Sequence, residues 1–393
     1  MHVLSVFGTR PEAIKMAPLV AAIGAEPDLT STLCITGQHR EMLSQAMDLF
    51  GLSADHDLNV MRPGQTLNEL SARLITGMDL VLRNVQPDCV LVHGDTTTAA
   101  ACALAAFHLR IPVGHVEAGL RSGNMLAPFP EEMNRRAVDV MSQWMFAPTP
   151  AARQALELEN LSGRIWVTGN TVIDALGAAL AKIDSSPALS SMLAERYTWL
   201  DPRRRVVLVT GHRRENFGDG FRQICAALRA LAQRDDVQLV YPVHLNPSVR
   251  SVVLEMLQGL PNVHLLDPVG YLDFIWLMRR AHLILTDSGG VQEEAPFMGK
   301  PVLVMRDVTE RPEAVAAGTA QLVGTDAARI IQAANRLLDD DTAYRDVSGR
   351  ANPYGDGRAC RRIVDALCGR PVAEFMAPAS PLRTASLSSL DLA

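Results

Sequence analysis

Six cysteines in 393 residues, with no C-x-x-C pair among them, give the chain neither a disulfide framework nor a zinc-ligand spacing. Several of Cys34, Cys89, Cys102, Cys225, Cys360 and Cys368 lie in apolar strand- or helix-like surroundings, which suits buried thiols in a reducing cytoplasm. No apolar run is long enough to span a membrane. Met1 leads straight into the strand-like segment Val3–Phe7, without a basic n-region or a long apolar h-region, so no signal peptide is read. Positive charge is not in excess either. A net charge of −6 and a pI near 5.9 give no support for a nucleic-acid or membrane-surface partner. Neither G-x-G-x-x-G nor G-x-x-x-x-G-K-[ST] occurs, which weakens a nicotinamide dehydrogenase or a P-loop phosphotransferase. No metal and no cofactor are expected.

What is present describes a soluble globular protein, 48% hydrophobic and 20% charged, long enough for roughly two to three domains. Short apolar runs alternate with helical stretches from end to end. In the first half, strands are expected at Val3–Phe7, Leu33–Thr36, Cys89–His93, Val113–Glu117, Met145–Ala147 and Ile165–Thr168. In the second half they are expected at Val206–Thr210, Gln238–Tyr241, Val263–Leu266, Leu283–Thr286, Val302–Met305 and Gln321–Val323. This β-α grammar, written twice, predicts an α/β fold of two doubly wound Rossmann-like domains facing a central cleft. The boundaries are placed at 1–170 and 171–356, with a helical connector entering the second domain. A helix in 357–370 could return to the first domain, and the Pro/Ala/Ser-rich stretch 371–393 reads as a disordered tail.

Ligands of open parallel sheets sit beyond the carboxyl ends of the strands, and the chemically interesting residues follow strand candidates. Thr286–Pro296 reads as a strand end followed by Ser288, Gly289 and Gly290, small residues that open a helix and let an anion approach the backbone. Glu293 and Glu294, about one turn in, could accept from both hydroxyls of a ribose. The alternative is a Gly-rich turn with first-turn acids. After the first strand, Gly8 permits a tight turn, Pro11 suits a helix start, and Arg10 with Lys15 could hold a pyrophosphate or be surface cations. Asp95, in His93-Gly-Asp-Thr-Thr-Thr98, is a site candidate or the N-cap of a Thr96–Leu109 helix. Glu117 ends a buried strand, which is costly unless the acid is solvated or paired. Glu131 opens a helix and reads by itself as a first-turn acid. Gly211-His-Arg-Arg-Glu-Asn216 brings His212 and two arginines to a strand end, where an imidazole could hold or protonate a phosphate oxygen. Arg311 could join that anion site or be surface charge.

Cations for a pyrophosphate, an acid for a ribose and three carboxylates left over point to a sugar nucleotide. Without a redox cofactor, a sugar carbon can be inverted by elimination. The nucleotide leaves C1 as the C2 proton is removed, and the alkene regains a proton on its other face as the nucleotide returns. A working base needs its pKa raised towards about 6–7 by burial and neighbouring acids.

The ordered segments Val6–Lys15, Gln38–Met42, Val92–Thr97, His115–Arg121, Pro130–Arg135, Thr210–Glu215, Tyr241–Pro247, Thr286–Pro296 and Thr309–Glu313 resemble those of bacterial non-hydrolysing UDP-N-acetylglucosamine 2-epimerases. The resemblance runs from residue 1 to about 368. It implies reversible interconversion of UDP-GlcNAc and UDP-ManNAc on a GT-B-like pair of domains, as a cytoplasmic homodimer serving cell-surface polysaccharide precursor synthesis. It puts catalysis on Asp95, Glu117, Glu131 and His212, overriding the helix-start readings of Asp95 and Glu131. UDP contacts fall on Arg10, Lys15, Phe274, Ser288, Gly289, Gly290, Glu294 and Arg311. It further implies a second UDP-GlcNAc as activator, at Gln38, His39 and Met42 with Arg62, Gln65, Arg213 and His244. Val269 departs from relatives that carry Gln there. A GT-B glycosyltransferase, a hydrolysing epimerase and a non-enzymatic nucleotide-sugar sensor are the competing readings.

Overall fold

A computed structural model describes residues 1–37, 43 and 47–378. Among them, β1 His2–Phe7, β2 Thr30–Ile35, β3 His56–Asp57, β4 Cys89–His93, β5 Val113–Val116, β6 Trp144–Ala147 and β7 Arg164–Val167 form one parallel sheet, ordered β3-β2-β1-β4-β5-β6-β7. A second parallel sheet contains β8 Arg205–Thr210, β9 Val237–Pro242, β10 Val263–Leu266, β11 Ala281–Thr286, β12 Val302–Val304 and β13 Ala320–Leu322, ordered β10-β9-β8-β11-β12-β13. The architecture is the expected GT-B-like pair of doubly wound sheets. Central strands read as continuous apolar runs because helices cover both their faces; all five residues of β4, Cys-Val-Leu-Val-His, are buried. Only β3, two residues long, carried too little pattern to be read from sequence.

In each sheet the strand order reverses once, between β1 and β4 and between β8 and β11, and a crevice opens there beyond the strand ends. Local sequence fixes how the chain leaves these strands. Thr9 and Glu12 form a reciprocal capping box at the start of helix Arg10–Gly24. Helix Thr97–His108 is capped by Thr96, whose hydroxyl accepts from Ala99 N at 3.0 Å. Asp95 is therefore not the cap that its position suggested. Its side chain is left for other work.

Helix Thr171–Ser185 packs on helix Arg10–Gly24 of the first sheet and on helices Tyr271–Arg280 and Gly289–Glu294 of the second. Helix Ala359–Leu367 brings the chain back. Its Ile363, Val364 and Leu367 share a core with Val3, Phe7 and Met16, each burial contributing about 1.5–3 kcal/mol. Residues 371–378 continue along the first sheet: Phe375 is buried and donates from its backbone N to Val167 O at 2.8 Å, and Arg153 pairs with Glu374 at 2.7 Å. The expected tail thus does not begin at Pro371; residues 379–393 lie outside the described residues. The six cysteines are free thiols, all buried but the half-buried Cys368. Among the described residues no helix is long and apolar enough to cross a membrane.

Candidate active site

The two crevices face each other, and a buried ionic cluster joins them. Glu117 follows β5 in a left-handed conformation (φ 69°), an unusual backbone for a non-glycine residue that swings its carboxylate under Gly94. There Lys15 hydrogen-bonds it, Asn170 Nδ2 donates to it at 2.7 Å, and His93 Nε2 lies 3.8 Å away. From the other sheet, Glu293 lies 3.7 Å from Lys15, accepts from Asn170 at 3.3 Å and pairs with Arg311. Burial alone would raise Glu117, but the charges of Lys15 and Arg311 outweigh it and hold the carboxyl well below the usual range. For Lys15 burial works downward, and Glu117 with Glu293 reverses it. In this arrangement Glu117 is a paired anion, not the raised base the chemistry calls for. Lys15 is committed to it rather than free.

His93 shows the opposite balance. Burial pushes it down to about 3 against the pull of Glu117, and neither ring nitrogen has a hydrogen-bond partner among the described residues. It is a neutral imidazole beside an anion.

Asp95 sits just past β4, partly open, and is held by helix Glu131–Met141. Arg135 pairs with its Oδ2, and Asn134 Nδ2 donates to its backbone O at 2.9 Å. Arg135 is in turn 3.2 Å from Glu132, which is fully buried and accepts from Ser122 N at 2.9 Å and Gly123 N at 3.3 Å. Glu131 begins this helix, half-buried, with no hydrogen-bond or ion-pair partner among the described residues. The pair therefore divides by role: Glu132 holds the loop and Glu131 keeps a free carboxylate.

Across the cleft, Thr210 and Thr286 hydroxyls meet at 2.6 Å where β8 and β11 end. Asp287, fully buried, accepts through one oxygen from His212 N at 2.9 Å and Arg213 N at 2.8 Å. That carboxylate shapes the loop that presents His212. The imidazole lies 3.7 Å from the other Asp287 oxygen and stacks on His244 at 5.2 Å. Burial lowers it, with His244 and Arg213 adding to the effect and Asp287 opposing it. Ser288 stands at the N-cap position of helix Gly289–Glu294 but makes no side-chain capping hydrogen bond. A Cβ on Gly289 would lie 3.8 Å from Arg213 Nη2 and 3.9 Å from Arg311 Cζ, so the absent side chain leaves a cradle under two guanidinium groups. One turn on, Glu294 accepts from Tyr271 OH at 3.0 Å, and burial pushes its carboxyl up to about 7 despite that bond.

The model of the UDP-N-acetylglucosamine 2-epimerase family matches residues 21–368. The chain belongs to this family. A UDP-N-acetylglucosamine 2-epimerase of Escherichia coli strain K12 is 56% identical over 369 residues, 93% of this chain and 98% of that protein. One from Neisseria meningitidis is 49% identical over 93% of this chain and 99% of its own length. Among solved structures, a UDP-GlcNAc 2-epimerase from Neisseria meningitidis bound to UDP-GlcNAc superposes with a TM-score of 0.88 at 48% identity, covering 94% of this chain and 100% of that one. The enzyme from Methanocaldococcus jannaschii, in complex with UDP-GlcNAc and UDP, gives 0.79 at 32% identity, covering 94% and 100%. Epimerases of this family are isomerases, and the chain is placed among them.

Against the epimerase expectation, the structure gathers Lys15, Glu117, Arg311, His212 and the Ser288–Gly290 turn about the cleft, but it redirects Glu293. That acid, considered for the ribose, is spent on Lys15, Arg311 and Asn170. Arg10 lines a cavity of 380 Å³ with Leu49, Lys182 and Tyr271. Phe274, half-buried on helix Tyr271–Arg280, and partly buried Val269 pack against the same core. Of the residues assigned to an activator, Arg213 and His244 adjoin His212. Arg62 is exposed, and Gln65 accepts from Arg73 at 2.9 Å; no hydrogen bond or ion pair among the described residues joins either to His212. Gln38, His39 and Met42 lie outside the described residues. Sequence reasoning missed His93, Asn170, Asp287 and Tyr271. Three of them carried a signal, a polar side chain at or just past the end of a parallel strand: β4 for His93, β7 for Asn170 and β11 for Asp287.

Proposed function

We propose that the chain interconverts UDP-GlcNAc and UDP-ManNAc by eliminating UDP and adding it back. A carboxylate takes the C2 proton, the C1–O bond breaks, its electron pair leaves with UDP, and 2-acetamidoglucal remains. A carboxyl group returns a proton to C2 from the opposite face as a UDP oxygen re-adds to C1. No electron is gained or lost overall. The observation that carries this is the cross-cleft cluster, with carboxylates and cations interleaved where two switch points meet.

In this reading Asp95, Glu117 and Glu131 work on C2. Ser288, Gly289, Gly290, Arg311, Lys15 and Arg10 seat the diphosphate, Glu294 takes the ribose, Phe274 flanks the base, and His212 holds the departing oxygen. A bound diphosphate competes with Glu117 for Lys15. As that cation is shared, the burial of Glu117 reasserts itself and lifts the carboxyl towards the range a base needs. Residues 1–170 supply the carboxylates, with Arg10 and Lys15 on the diphosphate, and 171–356 the rest of the UDP seat. The enzyme works as a cytoplasmic homodimer feeding surface polysaccharide synthesis, with a second UDP-GlcNAc as activator beside His244. Hyperbolic kinetics in UDP-GlcNAc, and turnover of UDP-ManNAc alone, would remove the activator.

The test is incubation with UDP-GlcNAc in deuterated water, with neither NAD nor acceptor. The expected product is UDP-ManNAc deuterated at C2, in a pool that stays nucleotide-linked. Release of free ManNAc and UDP would make this a hydrolysing epimerase instead, and no exchange at C2 would refute the chemistry.

A further inference from the structure

We infer that His115 is a positioning residue for Asp95: its imidazole donates from both nitrogens and ties the Gly94–Asp95 peptide to Asp139 on helix Glu131–Met141. The inference rests on the reading that Asp95 works at C2. His115 points off β5 into the core and is fully buried. Its Nδ1 lies 2.6 Å from Asp139 Oδ1 and its Nε2 2.8 Å from Gly94 O. A carbonyl and a carboxylate oxygen can only accept. Arg121 Nη1, 2.8 Å from the other Asp139 oxygen, favours the ionised carboxylate. Each ring nitrogen must then carry a proton, because a neutral ring would set two acceptors against each other inside the protein.

The partners decide this, not the depth. His93, on the neighbouring strand and also buried, has no hydrogen-bond partner for either nitrogen. The consequence for the site is geometric. Gly94 is left-handed (φ 64°), so the peptide leading into Asp95 would otherwise be free to swing. His115 fixes its carbonyl, Asn134 fixes the next one at 2.9 Å, and Arg135 takes the Asp95 carboxylate. All but His115 come from the helix that begins with Glu131, and His115 is locked to that helix through Asp139. Asp95 and Glu131 are thereby held as one rigid pair.

Histidine-specific ¹⁵N labelling of the wild-type protein with long-range ¹H–¹⁵N correlation reads the ring directly at neutral pH. Two protonated-type nitrogens on His115 are expected, one of them losing that character in Asp139→Asn. A neutral ring in the wild type would overturn the inference, whether or not any variant folds. His115→Leu should lower kcat about ten- to hundredfold, with KM and UDP affinity held within about threefold. His115→Gln, which keeps a donor for Gly94 O, should recover much of that loss. Equal losses in UDP affinity and kcat, or no recovery with Gln, would reduce His115 to a folding role. Undiminished C2 exchange in Asp95→Asn would instead sink the role of Asp95, and the ring spectrum tells the two failures apart.

Discussion

Replacing Lys15 with methionine keeps the length of the side chain and removes the cation bonded to Glu117. Lys15 and Glu117 have side chains only 12% and 8% exposed, so water cannot take over the lost charge. The carboxylate then either stays ionised in the cluster or takes up a proton, and the cheaper course bounds the cost. Protonating a carboxyl of ordinary pKa 4.5 at pH 7 costs about 3.4 kcal/mol; at pH 5 it costs about 0.7 kcal/mol. Asn170 and Arg311 remain to support the anion, and the burial cost of the ammonium disappears, so about 2–3 kcal/mol is expected at pH 7. The sign follows from linkage. In the wild type Glu117 lies below its unfolded value, so its stabilisation is present above that value and is lost as pH falls. The variant's deficit must therefore shrink between pH 7 and pH 5. Urea unfolding of both proteins at the two pH values, followed by tryptophan fluorescence, measures it. A deficit equal at both, or larger at pH 5, would refute the claim that Lys15 serves to hold an ionised Glu117.

Glu294, pushed up to about 7 by burial, behaves oppositely. Its stabilisation is complete below the ordinary carboxyl value and is lost as pH rises through 7. Glu294→Gln should gain stability relative to the wild type between pH 5 and pH 8, by about 1–3 kcal/mol, while UDP affinity falls; a pH-independent difference would count against burial as the cause. Gly289→Ala should fold normally, because its Cβ meets its neighbours at ordinary contact distances of 3.8 Å and beyond. It should weaken UDP about tenfold or more by filling the cradle, and unchanged calorimetric affinity would remove the cradle from the site. Gly119→Ala is expected to lose stability outright, by about 2 kcal/mol or more in thermal unfolding. Its φ is +85° and the added carbon would fall 2.3 Å from Ala152 O.

The two doubly wound halves were legible because parallel strands buried on both faces are written as short apolar runs. Cys89–His93 and Val263–Leu266 were placed with the bounds they have. The same grammar put Asp95, Glu117, His212 and Ser288 at strand ends, where ligands of such sheets sit. One-residue ambiguities at helix starts were not legible. Asp95 and Thr96 are both good caps, as Glu131 and Glu132 are both good first-turn acids. Only packing showed that Thr96 and Glu132 hold structure, while Asp95 is paired with Arg135 rather than spent as a cap and Glu131 has no partner among the described residues.

The sequence by itself determined which chemical groups stand at the ends of which strands, since alternation and turn residues are local properties of the chain. It could not show that Lys15 spends its charge on Glu117, that Glu293 belongs to Arg311 rather than to a ribose, or that both ring nitrogens of His115 are bonded while, among the described residues, neither of His93 is. Those outcomes depend on partners as far as 278 residues away along the chain, as with Lys15 and Glu293. They depend also on burial that removes water as a competitor. Charge pairing and desolvation are decided in three dimensions.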